Sequence, residues 1–177
     1  APTNGKLQRQ EYTSNPVQVI PLGRYAFVAN GGNDSISAID TAHVETFVDG
    51  GGATSKKLSP LEVARIPLGV GLTGQHVQLA PRKLAVTPDG SRVYATLDGV
   101  NRIAVIDAVA LQEVDVKPNE TVLPTDSPAE AARKQATHGL QQIELPTGAR
   151  PFQAVIDSAG KRLYVTDSVA GKKPTDR

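Results

Sequence analysis

Pro81-Arg-Lys-Leu-Ala-Val-Thr-Pro-Asp-Gly-Ser-Arg-Val-Tyr-Ala-Thr96 decides the fold, because the chain repeats it. Pro151-Phe-Gln-Ala-Val-Ile-Asp-Ser-Ala-Gly-Lys-Arg-Leu-Tyr-Val-Thr166 matches it position by position, and a more divergent copy runs from Asn15-Pro16 through Gly23 and Phe27 to Asp40. A recurring strand–turn–strand unit is the mark of an array of small sheets. Two anchors fix the register. Gly23, Gly90 and Gly160 are each followed four residues later by an aromatic, Phe27, Tyr94 and Tyr164. Seventeen residues after the glycine the first two copies reach Asp40 and Asp107, closing Ile36-Ser-Ala-Ile-Asp40 and Ile103-Ala-Val-Ile-Asp107.

The physics of one unit is legible in the second copy. Leu84-Ala-Val86 and Ala154-Val-Ile156 are short apolar runs bounded by turn residues, the pattern of strands. Pro88-Asp89-Gly90 combines a fixed φ, a side chain that bonds its own backbone and a residue tolerant of positive φ, which predicts a tight hairpin. Arg92 to Thr96 alternates and is rich in β-formers, giving a second strand. Asp98-Gly-Val-Asn101 turns the chain into a third strand, Ile103 to Ile106, with Asp107 placed to bond the following turn. Val63-Ala-Arg-Ile-Pro-Leu-Gly69 and Gln142-Ile-Glu-Leu-Pro-Thr-Gly148 resemble each other and supply a fourth. Four antiparallel strands, repeated, describe β-propeller blades.

Pro-Asp-Gly, then Tyr164-Val165-Thr166-Asp167 or Tyr94-Ala95-Thr96, then Ile103-Ala-Val-Ile-Asp107, resembles the YVTN family of β-propeller repeats. The likeness covers residues 15–48, 63–69, 81–108 and 142–167. It implies a surface-layer-like, exported protein, with related propellers found in redox enzymes and sugar lactonases. The expected fold class is therefore all-β: propeller blades of four antiparallel strands with long loop insertions and one short helix (about 128–138), in an incomplete propeller. The expected organisation is an extended N-terminal segment, 1–14, then a partial propeller, 15–177. One blade spans 15–69 with an insertion at 49–60; a second spans 81–148 with an insertion at 114–140; a third begins over 151–177.

Those insertions explain why the glycine anchors stand 67 and 70 residues apart, against about 40–50 for an ordinary blade repeat. Asp49 to Pro60 is polar and glycine-rich, a surface loop by composition. Val70 to Ala80 is a second insertion. Within the longest, Ser127-Pro128-Ala129-Glu130 places serine at a helix N-cap, proline at the first helical position and glutamate three after the cap. Closed propellers have about four to eight blades, so two and a half predict that others are supplied, by further chains or by a longer protein. The latter is the preferred reading.

Composition narrows the function classes. Net charge is +1, hydrophobic content 39%, and aromatics number only 4 Tyr and 3 Phe. Basic residues are scattered without interleaved aromatics, which argues against nucleic acid. No apolar run approaches the roughly 20 residues that span a bilayer. The chain has no cysteine, so neither a disulfide framework nor covalent c-type haem attachment is expected. Its first residues, Ala1-Pro-Thr, fit signal-peptide removal, and the expected address is periplasmic or extracellular.

Candidate chemistry is sparse. His43, His76 and His138 have no metal-ligand spacing and are read as solvated loop residues. Asp40 and Asp107 resemble a catalytic carboxylate pair, but their shared repeat position favours turn capping; Asp89 and Asp157 are read likewise. Asn30 to Ser35 clusters oxygens without EF-hand spacing and reads as a hairpin loop. No cofactor or metal is expected. Asn33-Asp-Ser35 and Asn119-Glu-Thr121 are glycosylation sequons in expected loops, Asn119 the better placed. The leading expectation is a non-catalytic binding, scaffolding or assembly module whose partner is another protein, further blades or copies of itself. The alternative is the propeller part of an enzyme, lactonase-like or a periplasmic redox subunit with a haem or quinone partner, whose active residues lie elsewhere.

Overall fold

A computed structural model describes residues 16–69, 78–116, 121–136 and 142–168. The expected N-terminal segment, His76, His138, Asn119 and residues 169–177 lie outside that set. In chain order the first repeat gives β1 (Pro16–Leu22), β2 (Tyr25–Asn30) and β3 (Ser35–Asp40), then β4 (Val44–Val48), β5 (Thr54–Leu58) and β6 (Leu61–Pro67). The second gives β7 (Pro81–Val86), β8 (Arg92–Leu97), β9 (Arg102–Asp107), β10 (Gln112–Glu113), α1 (Pro128–Ala136) and β11 (Ile143–Glu144). The third gives β12 (Pro151–Ile156) and β13 (Leu163–Asp167). All pairings are antiparallel.

The first sheet is ordered β1-β2-β3-β6, the second β7-β8-β9 with β10 and β11 both on the outer side of β9, and the third is β12-β13. Each sheet packs on the next, so β7 lies against β1 on one side and β12 on the other. Among the described residues these are propeller blades in an open series, not a closed ring.

The repeat is exact enough to preserve an irregularity. In all three sheets the register of the first strand slips just after its proline, at Pro16/Gln18, Pro81/Lys83 and Pro151/Gln153. Proline lacks the amide that a regular ladder needs, so a bulge or strand start is where it belongs. The turn glycines match too. Gly90 takes φ +72°, and a Cβ there would stand 3.0 Å from Leu22 Cδ1 of the preceding sheet. Its conformation and its close approach thus both favour glycine.

Period-two alternation divides each sheet into two faces. Phe27, Ala29, Ile36, Ala38 and Ile66 on the first sheet are buried against Leu84, Val93, Ala95, Leu97, Ala104 and Ile106 on the second. Full burial of one such large side chain stabilises by about 1.5–3 kcal/mol, so this cluster is the core that couples the two sheets. The opposite face of the second sheet meets the third, where the Thr96 hydroxyl donates to Phe152 O at 3.3 Å.

Three expectations need adjustment. Residues 49–60 are not simply a loop, because Thr54–Leu58 pairs with Val44–Val48 as a hairpin. Asp49 makes its turn: Oδ1 accepts Gly51 N–H at 2.9 Å and Ala53 N–H at 2.8 Å. Second, the outer strands do match, but two residues away from the sequence alignment. Ile143, not Leu145, takes the place of Ile66; they face Ile103 and Ile36 respectively. A shift of two keeps every side chain on its original face. Third, β10 pairs beside Asp107 and Ile106 while β11 pairs beside Ile103 and Arg102. The long insertion therefore interrupts the outer strand rather than preceding it. Within it, α1 begins as its sequence predicts: Ser127 Oγ accepts Glu130 N–H at 3.3 Å and Ser127 O accepts Ala131 N–H at 2.9 Å.

Candidate functional site

The outer strands of the first two sheets meet at a cleft of about 590 Å³. Arg65 and Pro67 line it from β6; Arg92 and Asp107 from β8 and β9; Glu113 and Asp115 from β10 and the start of the insertion. Arg92 donates to Asp107 Oδ2 at 2.7 Å, and Arg65 donates to both Glu62 oxygens at 2.9 Å.

Glu113 is the unusual member. It is buried, accepts Gly69 N–H from the first sheet at 2.6 Å, and accepts the Gln142 amide at 2.8 Å. Burial pushes its carboxyl above the ordinary value and outweighs both hydrogen bonds, with the Asp115 charge adding to the rise. Gln142 is itself buried, and its Oε1 has no hydrogen-bond partner. Residue by residue this pair repeats Glu62–Arg65: Glu62 faces Ile39 as Glu113 faces Ile106. There the Arg65 guanidinium beside Glu62, helped by the Ser37 hydroxyl at 2.6 Å, holds the carboxyl below its usual range. One position therefore carries an ion pair in the first sheet and an uncompensated acid in the second. A buried acid with a raised pKa at a cleft holds its proton to higher pH than an ordinary carboxyl and, while protonated, can donate a hydrogen bond. Sequence reasoning passed over it. The available signal was the Glu-Val dipeptide that opens both outer strands, Glu62-Val63 and Glu113-Val114.

Of the residues singled out by sequence, Asp107 lines the cleft and Asp40, Asp89 and Asp157 sit elsewhere. Asp40 Oδ1 accepts Ala42 N–H at 3.0 Å, and both its oxygens accept Arg24, at 2.8 and 2.5 Å. Asp107 Oδ1 accepts Val109 and Ala110 N–H, each at 2.9 Å. The carboxyl of each lies below its ordinary value, led by Arg24 for Asp40 and by the Ala110 amide for Asp107. Each aspartate thus ties a turn to the neighbouring strand, and the two belong to different sheets. Asp89 is held at about 2 by hydrogen bonds from Thr87 and Ser91 within the hairpin turn. Asp157 Oδ1 accepts Lys161 and Arg162 N–H in the matching turn. Phe27, Tyr94 and Tyr164 occupy one position on successive second strands, and Gly23, Gly90 and Gly160 one position in successive turns. Asn33 Oδ1 accepts the Ser35 hydroxyl at 2.7 Å. His43 O accepts Ser59 N–H beside the β4–β5 hairpin. Among the described residues no group of three or more His, Asp or Glu is arranged to hold a metal ion, and no helix is long and apolar enough to cross a membrane.

No protein-family profile matches the chain, and no curated protein matches it. Solved structures do. Kuenenia stuttgartiensis hydrazine synthase is 18% identical with a TM-score of 0.53, over 95% of this chain and 33% of that one. A provisionally assigned 6-phosphogluconolactonase of Bacteroides uniformis is 16% identical with a TM-score of 0.48, over 88% of this chain and 36% of that one. The chain spans about a third of the length of each. The likeness to hydrazine synthase is one of fold and agrees with the propeller-type sheets.

Proposed function

We propose that this chain is a section of an exported, YVTN-type β-propeller that serves as a non-catalytic protein-binding module, with the β4–β5 hairpin as its contact element. The carrying observation is the exposure of that hairpin. Val48 and Leu58 are 69% and 60% exposed, and Val44 and Phe47 beside them are also exposed. The hairpin forms a separate two-stranded sheet. A two-stranded hairpin is marginal alone, its unpaired edges are templates for a further strand, and clustered exposed apolar residues mark interaction surfaces. The repeat motif Tyr164-Val165-Thr166-Asp167 supports the family reading, and the cysteine-free composition is compatible with export.

A photo-reactive residue at Thr46 should give a discrete adduct with one protein in the native host, and Val48→Lys with Leu58→Lys should abolish it. Both lysines are surface changes, worth within about 0.5 kcal/mol of fold stability. Adducts that survive the double substitution would sink the reading. Recovery of the chain from the cytoplasmic fraction would sink the exported part of it.

A second reading, the propeller part of an enzyme with further active residues on other blades or a partner chain, is favoured by the raised pKa of Glu113 at the cleft. Lactone hydrolysis by the purified chain that is lost on Glu113→Gln would favour it over binding.

A further inference from the structure

The β4–β5 hairpin is an addition to its blade. In the first sheet residues 41–60 separate β3 from β6, whereas in the second a turn at residues 108–111 carries β9 into β10. The hairpin continues the β3–β6 ribbon, since Asp40 pairs with Leu61 and Val44 pairs with Leu58 beyond it. None of its residues belongs to the buried core, so the packing of the sheets does not account for it.

Its hydrogen bonds show which backbone groups are left over. Ser59 N–H donates to His43 O at 2.9 Å, and Asp49 N–H donates to Ala53 O at 3.0 Å. With Val44 opposite Leu58, antiparallel alternation then turns the backbone groups of Ser55 and Lys57 toward β4 and those of Thr54, Lys56 and Leu58 outward. Since β5 pairs with β4 alone, among the described residues that outward row is an unfilled half-ladder. Its charge is one-sided. All five residues of β5 are exposed, two are lysines and none is an acid. Neither lysine forms an ion pair among the described residues, although Glu45 stands across from Lys57. Two such edges brought together would set lysine beside lysine, and like charges across a strand pair destabilise it, whereas opposite charges stabilise it.

We propose that the outer edge of β5 takes an extended acidic segment of another protein as an added strand, with acidic side chains beside Lys56 and Lys57 and an aliphatic one beside Leu58. The outward amides of Thr54, Lys56 and Leu58 carry the strand addition, and the uncompensated lysines carry the acidic character. The same lysines disfavour β5 of a second copy as the occupant. This inference rests on the hairpin as the contact element, and adds to it the class of partner and the manner of binding.

The probe is a capped synthetic peptide, Thr-Val-Glu-Glu-Val-Thr, added at up to millimolar concentration to the whole chain and followed by amide exchange in NMR spectra. At low salt it should slow exchange at Thr54, Lys56 and Leu58 and leave Ser55 and Lys57, already turned toward β4, unchanged. Replacing both glutamates of the peptide by lysine should weaken binding by about tenfold, and added salt should narrow that gap. Lys56→Glu with Lys57→Glu should reverse the preference; both sites are exposed and outside the core, so the sheets should keep their fold. N-methylation of the peptide backbone should abolish binding, because it removes the ladder donors and leaves the charges. No protection at 54, 56 and 58, equal binding of the two peptides, or binding that survives N-methylation would overturn the proposal. Self-association of the parent that protects the same three amides would overturn it too, by seating a second copy there. A host adduct at Thr46 without peptide binding would remove this inference alone, whereas peptide binding without a host adduct would remove the protein-binding function and leave the edge chemistry standing.

Discussion

Because Arg65 donates two charged hydrogen bonds to Glu62 while Glu113 is buried beside the neutral amide of Gln142, the pKa values of two glutamates at one repeat position move in opposite directions. Their behaviour with pH follows. Glu113 binds its proton more tightly in the folded chain than at its ordinary value of 4.5. The unfolded state therefore binds fewer protons between those two values, and stability falls as pH rises through that window. Below the ordinary value the contribution is fully present; above the folded value it is lost. The difference in urea midpoint between the parent and Glu113→Gln should consequently favour the parent at acid pH and decline as pH rises. Gln142→Arg should flatten that decline by supplying the guanidinium found beside Glu62. Parallel curves at all pH values would refute the assignment. Asp40 and Asp107 were visible in the sequence because an unbroken seventeen-residue spacing links each to its glycine. Glu113 and Gln142 were not, because the long insertion separates two residues that one outer strand brings together.

Among the elements, legibility tracked local signals. The start of α1 is written in Ser127-Pro128, a cap that acts on the next few residues whatever surrounds it. The β4–β5 hairpin is hidden because β5, Thr-Ser-Lys-Lys-Leu, is exposed throughout and shows no apolar alternation; only its turn, with Asp49 and Gly52 at φ +79°, marks it. What fixes α1 in place was also beyond sequence. Lys134 Nζ donates to both Asp126 oxygens at 3.0 Å, and both side chains are nearly buried. A helix of nine residues is marginal by itself, so this pair should decide whether the element persists. Removing one partner of a buried pair costs about 3–5 kcal/mol, more than such a helix can supply. Lys134→Ala should therefore release residues 121–136 to rapid amide exchange while the β7–β9 amides keep their protection. If the helix keeps its protection, the ion pair is not what holds it.

For the whole molecule, repetition converts position along the series into burial. Phe27, Tyr94 and Tyr164 share one repeat position, yet Phe27 is fully buried, Tyr94 partly so and Tyr164 half exposed. Phe27 lies between two complete sheets. Tyr94 faces a third sheet that contributes two described strands, and among the described residues Tyr164 faces none. The sequence showed the equivalence of the three residues and the open count of blades, but no local pattern distinguishes a covered face from a bare one. Stability in such arrays is close to a sum of unit and nearest-neighbour terms, so alanine at these three sites reads out the neighbours directly. Phe27→Ala should cost about 3–5 kcal/mol, the usual loss for a buried aromatic. Tyr164→Ala should cost no more than about 0.5 kcal/mol, as for an exposed site, and Tyr94→Ala should fall between them. Chemical denaturation of the three variants gives the comparison. Equal losses at 27 and 164 would mean that something covers the third sheet in the isolated chain. A graded loss would locate the interfaces between the first and second sheets and between the second and third.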